Sequence, residues 1–387
     1  MRNGFWQFED HWQENAQMAL DAIAMRPARG IPTWIINDMQ WSHLEELSGS
    51  PSGSYPEDPV RVYRAFQLAA GCCLMDQWIP QNPLSMKDQG YGKDAARGAT
   101  TGAHEIVRDG ILIDSPEAVV EHMETKLFPQ YEQWRRDLEA NAEEEVRKRI
   151  AGEIAVQQTL GMNMLKGPYS GFFTFPGFMY YQYGYVNYFM AYALYPEIIE
   201  RGFQLHADAA VLHNRIAARA IIEGGLPRLV RLDHDMADSR GMLVDVRTLD
   251  SMWFPQFARA IQPLLDAGIR LIWHCDGNLM DLVPRLLECG IGGFQGFQYE
   301  DGMDYERICG MKTRDGGDLF IIAGVSVTTT LPHGKPADVR REMDWLVAKG
   351  PRVGLMLGCS SSIAPGVPLE NIKTLIEGFR HYREQSP

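Results

Sequence analysis

Residues 271 to 280 read LIWHCDGNLM, an apolar run that leads straight into His274, Cys275 and Asp276. Imidazole, thiol and carboxylate are the side chains that bind Zn2+ or move protons, and a catalytic zinc takes three protein ligands while leaving a fourth position open. The pattern recurs along the chain. PRLVRLDHD (227–235) ends in Asp233-His234-Asp235, and IPTWIIND (31–38) ends in Asn37-Asp38. IGGFQGFQ (291–298) is followed by Tyr299, Glu300 and Asp301, and RVGLMLGCS (352–360) carries Cys359 near its end. No HExxH-type spacing gathers these ligands into one segment. Each residue alone has a plainer role. A His after a strand anchors a loop, Asp or Asn278 caps the following helix, and a lone Cys packs as a small hydrophobe.

A second feature is FFTFPGFMYYQYGYVNYFMAY (172–192), dense in Phe and Tyr. Such a stretch fills a core or a subunit interface, or it walls a pocket for a planar or apolar substrate with Tyr hydroxyls as donors. In the pocket reading, Phe175, Tyr180, Tyr181 and Tyr185 contact substrate.

These residues need elements to hold them. Short apolar runs at 31–38, 171–177, 227–235, 269–277, 291–298, 319–326 and 352–360 read as strands, with an eighth expected within 70–115. Helical patterns separate them. Ser115 caps a helix over 115–127 with Pro116 at its first position, 132–151 is a charged, solvated helix, and 196–223 has helical apolar spacing. Further helices are expected at 249–267, 279–289, 302–310 and 336–349. Strand–helix alternation means parallel strands with right-handed crossovers. Eight such units predict an α/β fold of the (β/α)8 TIM-barrel class, one domain over 1–387, with a helical extension over 1–30 and long βα loops. The open doubly wound sheet is the competitor, and no GxGxxG follows the first strand to support it. In a barrel the chemistry sits at the C-terminal strand ends, where the polar residues fall. Ser-, Gly- and Pro-rich segments at 47–59 and 90–103 read as long loops.

The whole chain sets limits. It has 387 residues, 45% apolar and 22% charged, with a formal net charge of -13. Such acidity repels nucleic acid and anionic membrane, and no apolar run reaches the roughly 18 residues that cross a bilayer. The N-terminus, MRNGFWQFEDHWQENAQMAL, lacks the apolar core of a signal peptide. Cys72, Cys73, Cys275, Cys289, Cys309 and Cys359 form no CxxC pair and read as free thiols of a reducing, cytoplasmic compartment.

The stretch from RLDHDMADSRG through GIRLIWHCDGN to GFQGFQYEDGMDYERI, with the tail GLMLGCSSSIAPGVPLENIKTLIEGFRHY, resembles the uroporphyrinogen decarboxylase superfamily over roughly residues 160–385. The resemblance implies a (β/α)8 barrel. The decarboxylases carry an Arg-rich stretch after the first strand, whereas INDMQWSHLEE here has no arginine, the natural carboxylate clamp. The corrinoid-dependent methyltransferase branch fits better. Several of its members hold zinc on a His-x-Cys pair after one strand and a Cys after the last. Carried over, these positions are His274, Asp276 (carboxylate in place of thiolate) and Cys359.

The expectation is a methyltransferase that moves a methyl group from a small donor, a methoxylated aromatic by preference, to the cobalt of a separate corrinoid protein, with zinc assisting. His274, Asp276 and Cys359 are the metal ligands. Asp233, Asp235 and Glu300 are the catalytic acids, with Glu300 also a candidate fourth ligand, and Asn37 lines the pocket. The chain has no DxHxxG-type cobalamin loop, so the corrinoid belongs to a partner docking over the barrel mouth. A homodimer is also expected. The alternatives are a decarboxylase of a smaller substrate and a non-catalytic corrinoid- or porphyrinoid-binding protein.

Overall fold

The computed structural model describes residues 4–86 and 105–385. The loop expected over 90–103 lies outside them. Seven short parallel strands form its frame: β1 (Leu74–Met75), β2 (Leu165–Lys166), β3 (Leu229–Asp233), β4 (Arg270–His274), β5 (Gly293–Gly296), β6 (Phe320–Val325) and β7 (Leu355–Cys359). The strands β3 to β7 lie side by side in chain order as one five-stranded parallel sheet, and β1 pairs with β2. The segment expected over 31–38 joins the two sheets. Thr33 bridges Leu357 of β7 and Trp34 bridges Leu74 of β1, both parallel. Among the described residues no strand pairing connects β2 to β3. The described residues thus form an α/β fold whose frame is seven parallel strands and the bridged 31–38 segment, with two short antiparallel hairpins at 107–112 and 237–242.

Strands β3 to β7 are buried almost throughout, as continuous apolar runs covered on both faces should be. Helices cover them. Pro196–Glu223 occupies the predicted span and buries Ile199, Phe203, Ala210, Ala217 and Ile221 on one stripe. The Ser115 hydroxyl accepts from the Ala118 amide at 3.2 Å, the cap read from the sequence. The charged helix of 132–151 is part of a longer one, Phe128–Leu160, kinked at Asn141. Asn141 sends its side-chain amide to the Asp137 carbonyl at 2.9 Å and so competes with the helix ladder. Among the described residues no helix is long and apolar enough to cross a membrane.

One expected strand is absent. Residues 171–177 are irregular, and the strand is β2, immediately upstream. Pro176 has no N–H to give a ladder. The backbone of Thr174 is satisfied by a side chain instead: its N–H donates to Asn214 Oδ1 at 2.9 Å, and its carbonyl accepts from Asn214 Nδ2 at 2.8 Å. One amide on the helix Pro196–Glu223 stands in for a neighbouring strand and leaves the aromatic segment free to fold over the sheet.

The N-terminal residues form the turn Phe5–His11 and the helix Glu14–Ile23. They pack at the N-terminal ends of the strands, where the Phe5 amide donates to the Gly224 carbonyl at 2.7 Å and the Gln13 amide to the Met162 carbonyl at 2.9 Å.

Candidate active site

Neighbouring strands β3 and β4 are in register with Asp233 opposite His274. Both residues close their strands, so a carboxylate and an imidazole stand side by side at the C-terminal edge. Asp235 and Asp276 follow two residues later. Ligand-capable atoms of Asp233, Asp235 and His274 all lie within 4.8 Å of one another. His274 Nε2 is 4.0 Å from Asp233 Oδ1 and 3.8 Å from Asp276 Oδ1. The Asp276 amide donates to Asp235 Oδ1 at 2.9 Å, and Asp276 Oδ1 is buried without a hydrogen bond.

The ring of His274 is seated closely. Its Nδ1 is buried and unpartnered under Gly296. A Cβ at position 296 would lie 3.0 Å from Nδ1 and 2.8 Å from the Ser360 carbonyl oxygen, and Gly296 has φ of +102°. Here glycine is required both for space and for backbone conformation.

Burial and the neighbouring Asp276 carboxylate push the Asp235 carboxyl up to about 6. Burial also pushes Asp233 up, but His274 and Arg231 outweigh it and hold its carboxyl below the ordinary range. Arg231, inside the fold on β3, donates from Nη1 to Asp233 Oδ2 at 2.9 Å and from Nε to Asp76 Oδ2 at 2.9 Å. The Tyr169 hydroxyl donates to the same Asp233 oxygen at 2.8 Å. Trp34 Nε1 donates to Asp76 Oδ1 at 2.8 Å, and the guanidinium lies 4.5 Å from the Tyr169 ring centre and 5.1 Å from that of Trp34. This network occupies Asp233 Oδ2 and leaves Oδ1 facing His274.

The aromatic segment reaches the same place. A cavity of about 270 Å3 is lined by Phe173, Phe175, Phe178, Tyr181, His234 and Asp233, among others. Burial lowers His234 to about 4, so it is neutral at pH 7, and its Nε2 accepts from the Phe178 amide at 2.8 Å. Tyr180 donates its hydroxyl to the Asp235 carbonyl at 3.1 Å and stacks on Tyr185 at 4.4 Å between centroids. Tyr181 and Tyr185 are 52% and 40% exposed, so of the four named pocket residues Phe175 and Tyr180 are the buried ones.

Other residues singled out from the sequence are not members of this three-residue group among the described residues. The Cys359 thiol is buried and pushed up by that burial, and it does not join the three-residue cluster among the described residues. Glu300 accepts from the Ser326 hydroxyl at 2.7 Å and from the Thr328 hydroxyl, tying one loop to the next. Asn37 donates to Ser362 Oγ at 2.7 Å, with its own Oδ1 buried and unpartnered. The Cys275 thiol donates to the Asp276 carbonyl at 2.9 Å and accepts from the Met236 amide, which fixes it as a structural contact.

Sequence reasoning passed over Arg231, Asp76 and Tyr169. The signal for Arg231 was its position. It is a charge within an apolar strand, two residues before Asp233 and therefore on the same face. Glu342 was also missed. It accepts from the Tyr299 hydroxyl and from the Ser326 amide at 2.7 Å, and burial raises it to about 7. A carboxyl raised in the folded state binds more protons there than in the unfolded chain between about pH 4.5 and 7. Stability therefore falls as pH rises through that window. Glu342→Gln should remove the penalty, leaving the variant more stable than wild type at pH 8 by up to about 3 kcal/mol, and near parity at pH 4.5. Urea denaturation at the two pH values measures this, and an equal gap at both would refute it.

No family model matches the chain, and no curated protein matches it. Among solved structures the chain is similar to a methyltransferase from Methanosarcina mazei, with a TM-score of 0.52 at 15% identity, over 95% of this chain and 99% of that one. At that identity the likeness speaks for the fold.

Proposed function

We propose that the chain is a methyltransferase of the corrinoid-dependent branch of the uroporphyrinogen decarboxylase superfamily, built on a (β/α)8 barrel. It takes a methyl group from a small donor and passes it to the cobalt of a separate corrinoid protein. The observation that carries the reading is the convergence of Asp233, Asp235 and His274 at adjacent strand ends, beside an aromatic cavity that Asp233 itself lines. The likeness in fold to a protein named as a methyltransferase supports it, as do the motifs of the second half of the chain.

The donor set fits a divalent metal. Ligand-capable atoms of Asp233, Asp235 and His274 converge within 4.8 Å, the network of Arg231 and Tyr169 engages the other Asp233 oxygen, Oδ2, and the buried Asp276 Oδ1 lacks a hydrogen-bond partner among the described residues. Two carboxylates and an imidazole suit Zn2+ and harder divalent ions. In this reading Asp233, Asp235 and His274 would hold the ion, with the Asp276 carboxylate 3.8 Å from His274 Nε2, and Cys359 is not one of the group. A bound metal supplies Lewis acidity to the oxygen that loses the methyl group.

The chain's own residues do the rest. In O-demethylation the carbon–oxygen bond breaks, its electron pair stays on oxygen, and the methyl group goes to the partner's cobalt. Phe173, Phe175 and Phe178 grip a single aromatic ring and keep water from the breaking bond. Neutral His234 adds no charge to that wall. Arg231 and Tyr169 hold Asp233 at one angle, so the cluster needs little reorganisation during the reaction. The reaction takes place at the strand ends, where a docked cytoplasmic corrinoid protein has access.

A decarboxylase of a smaller acid is the second reading. It is favoured by Arg231 Nη2, a buried guanidinium nitrogen without a hydrogen bond and so a potential carboxylate anchor. One experiment separates the two. The protein is incubated with methoxylated aromatic carboxylic acids, with and without a reduced corrinoid. Methyl loss that needs the corrinoid and disappears in Phe175→Ala supports the proposal; release of CO2 without corrinoid supports the second reading and sinks the first.

A further inference from the structure

A second, larger cavity lies at the opposite end of the strands. It measures about 590 Å3 and sits between the N-terminal extension and the starts of β2, β3 and β4. Phe5, Trp12 and Leu226 give it an apolar wall, and Arg228 and Arg270 line it at the beginnings of adjacent strands. We infer that this cavity is a second ligand site, one that takes an organic anion with an apolar body.

Charge carries the argument. Arg26, on the same cavity, is neutralised by Asp21 at 2.6 Å. Arg228 and Arg270 have no carboxylate partner among the described residues; the Arg270 guanidinium donates to the Gly292 carbonyl at 3.3 Å. Arg270 is half-buried, where a guanidinium without a counter-charge is costly. Among the described residues Glu9 is the one acid that lines the cavity. Half-buried Arg270 and exposed Arg228 both line the cavity beside its apolar wall, and guanidiniums in that setting suit a carboxylate, sulfonate or phosphate attached to a ring or alkyl chain. The site also explains why the extension folds back here, since residues 5–26 supply one whole side of the cavity.

The probe is anilinonaphthalene sulfonate, an anion with an apolar body, titrated by fluorescence into the full chain. Saturable binding at one site is expected, weakened about tenfold or more in Arg228→Met/Arg270→Met and unchanged in Phe175→Ala, which alters the cavity at the other end. Undiminished binding in the double variant, or loss in Phe175→Ala alone, overturns the assignment. Should the double variant fail to fold, Glu9→Gln decides. Removing the lone acid from an exposed position should tighten binding severalfold, and an unchanged or weaker affinity refutes the site.

Discussion

Protein washed with chelator and reloaded with zinc should retain about one metal per chain, and His274→Ala should retain almost none. His274 is the nitrogen donor of the cluster, and its Nε2 faces both Asp233 and Asp276. Without it, the remaining donors are carboxylates that repel one another. Asp235 already feels that repulsion from Asp276. Neighbouring variants sharpen the test. Asp276→Asn should weaken binding about 10- to 100-fold, as loss of an edge contact does. Cys359→Ser should leave it unchanged, because that thiol lies outside the cluster. Elemental analysis of all four proteins gives the result. Retention that follows Cys359 would move the metal to the last strand, and a well-folded wild type that retains none would end the metal-assisted mechanism.

Arg231→Met should destabilise the protein by about 3–5 kcal/mol, the cost of leaving buried charge unpaired. Asp76 and Asp233 both depend on this guanidinium, and Arg231 and Asp76 are almost wholly buried. Methionine fills much of the space, so the loss would come from charge rather than from a cavity. Asp76→Asn on its own should also destabilise. In the double variant the losses should be less than additive, because the second change removes a charge the first left unpaired. Urea denaturation of the set measures the coupling. A loss below about 1 kcal/mol for Arg231→Met would mean that the network is solvated and does not fix Asp233.

Much of this was legible in the sequence. Strands β3 to β7 announced themselves as apolar runs, and those at 227–235 and 269–277 could be seen to end in Asp233-His234-Asp235 and His274-Cys275-Asp276. The sequence could not say that β3 and β4 would stand next to each other in register, and that adjacency turns two separate motifs into one cluster. The pull toward Cys359 came from resemblance and not from spacing. The misplaced strand at 171–177 has the same origin as other long-range errors. A Phe-rich run reads as a strand until a side chain 40 residues away, Asn214, takes over its backbone hydrogen bonds. Arg231 was overlooked because a charge within a strand normally points to solvent, whereas this one is paired inside.

The parallel bridge from Thr33 to Leu357 ties together segments from opposite ends of the chain. Contacts of such long sequence separation form late, since the loop they close costs the most entropy. Strands β3 and β4, close in sequence, can pair well before that. The acid–imidazole cluster should therefore assemble while the first and last strands are still apart.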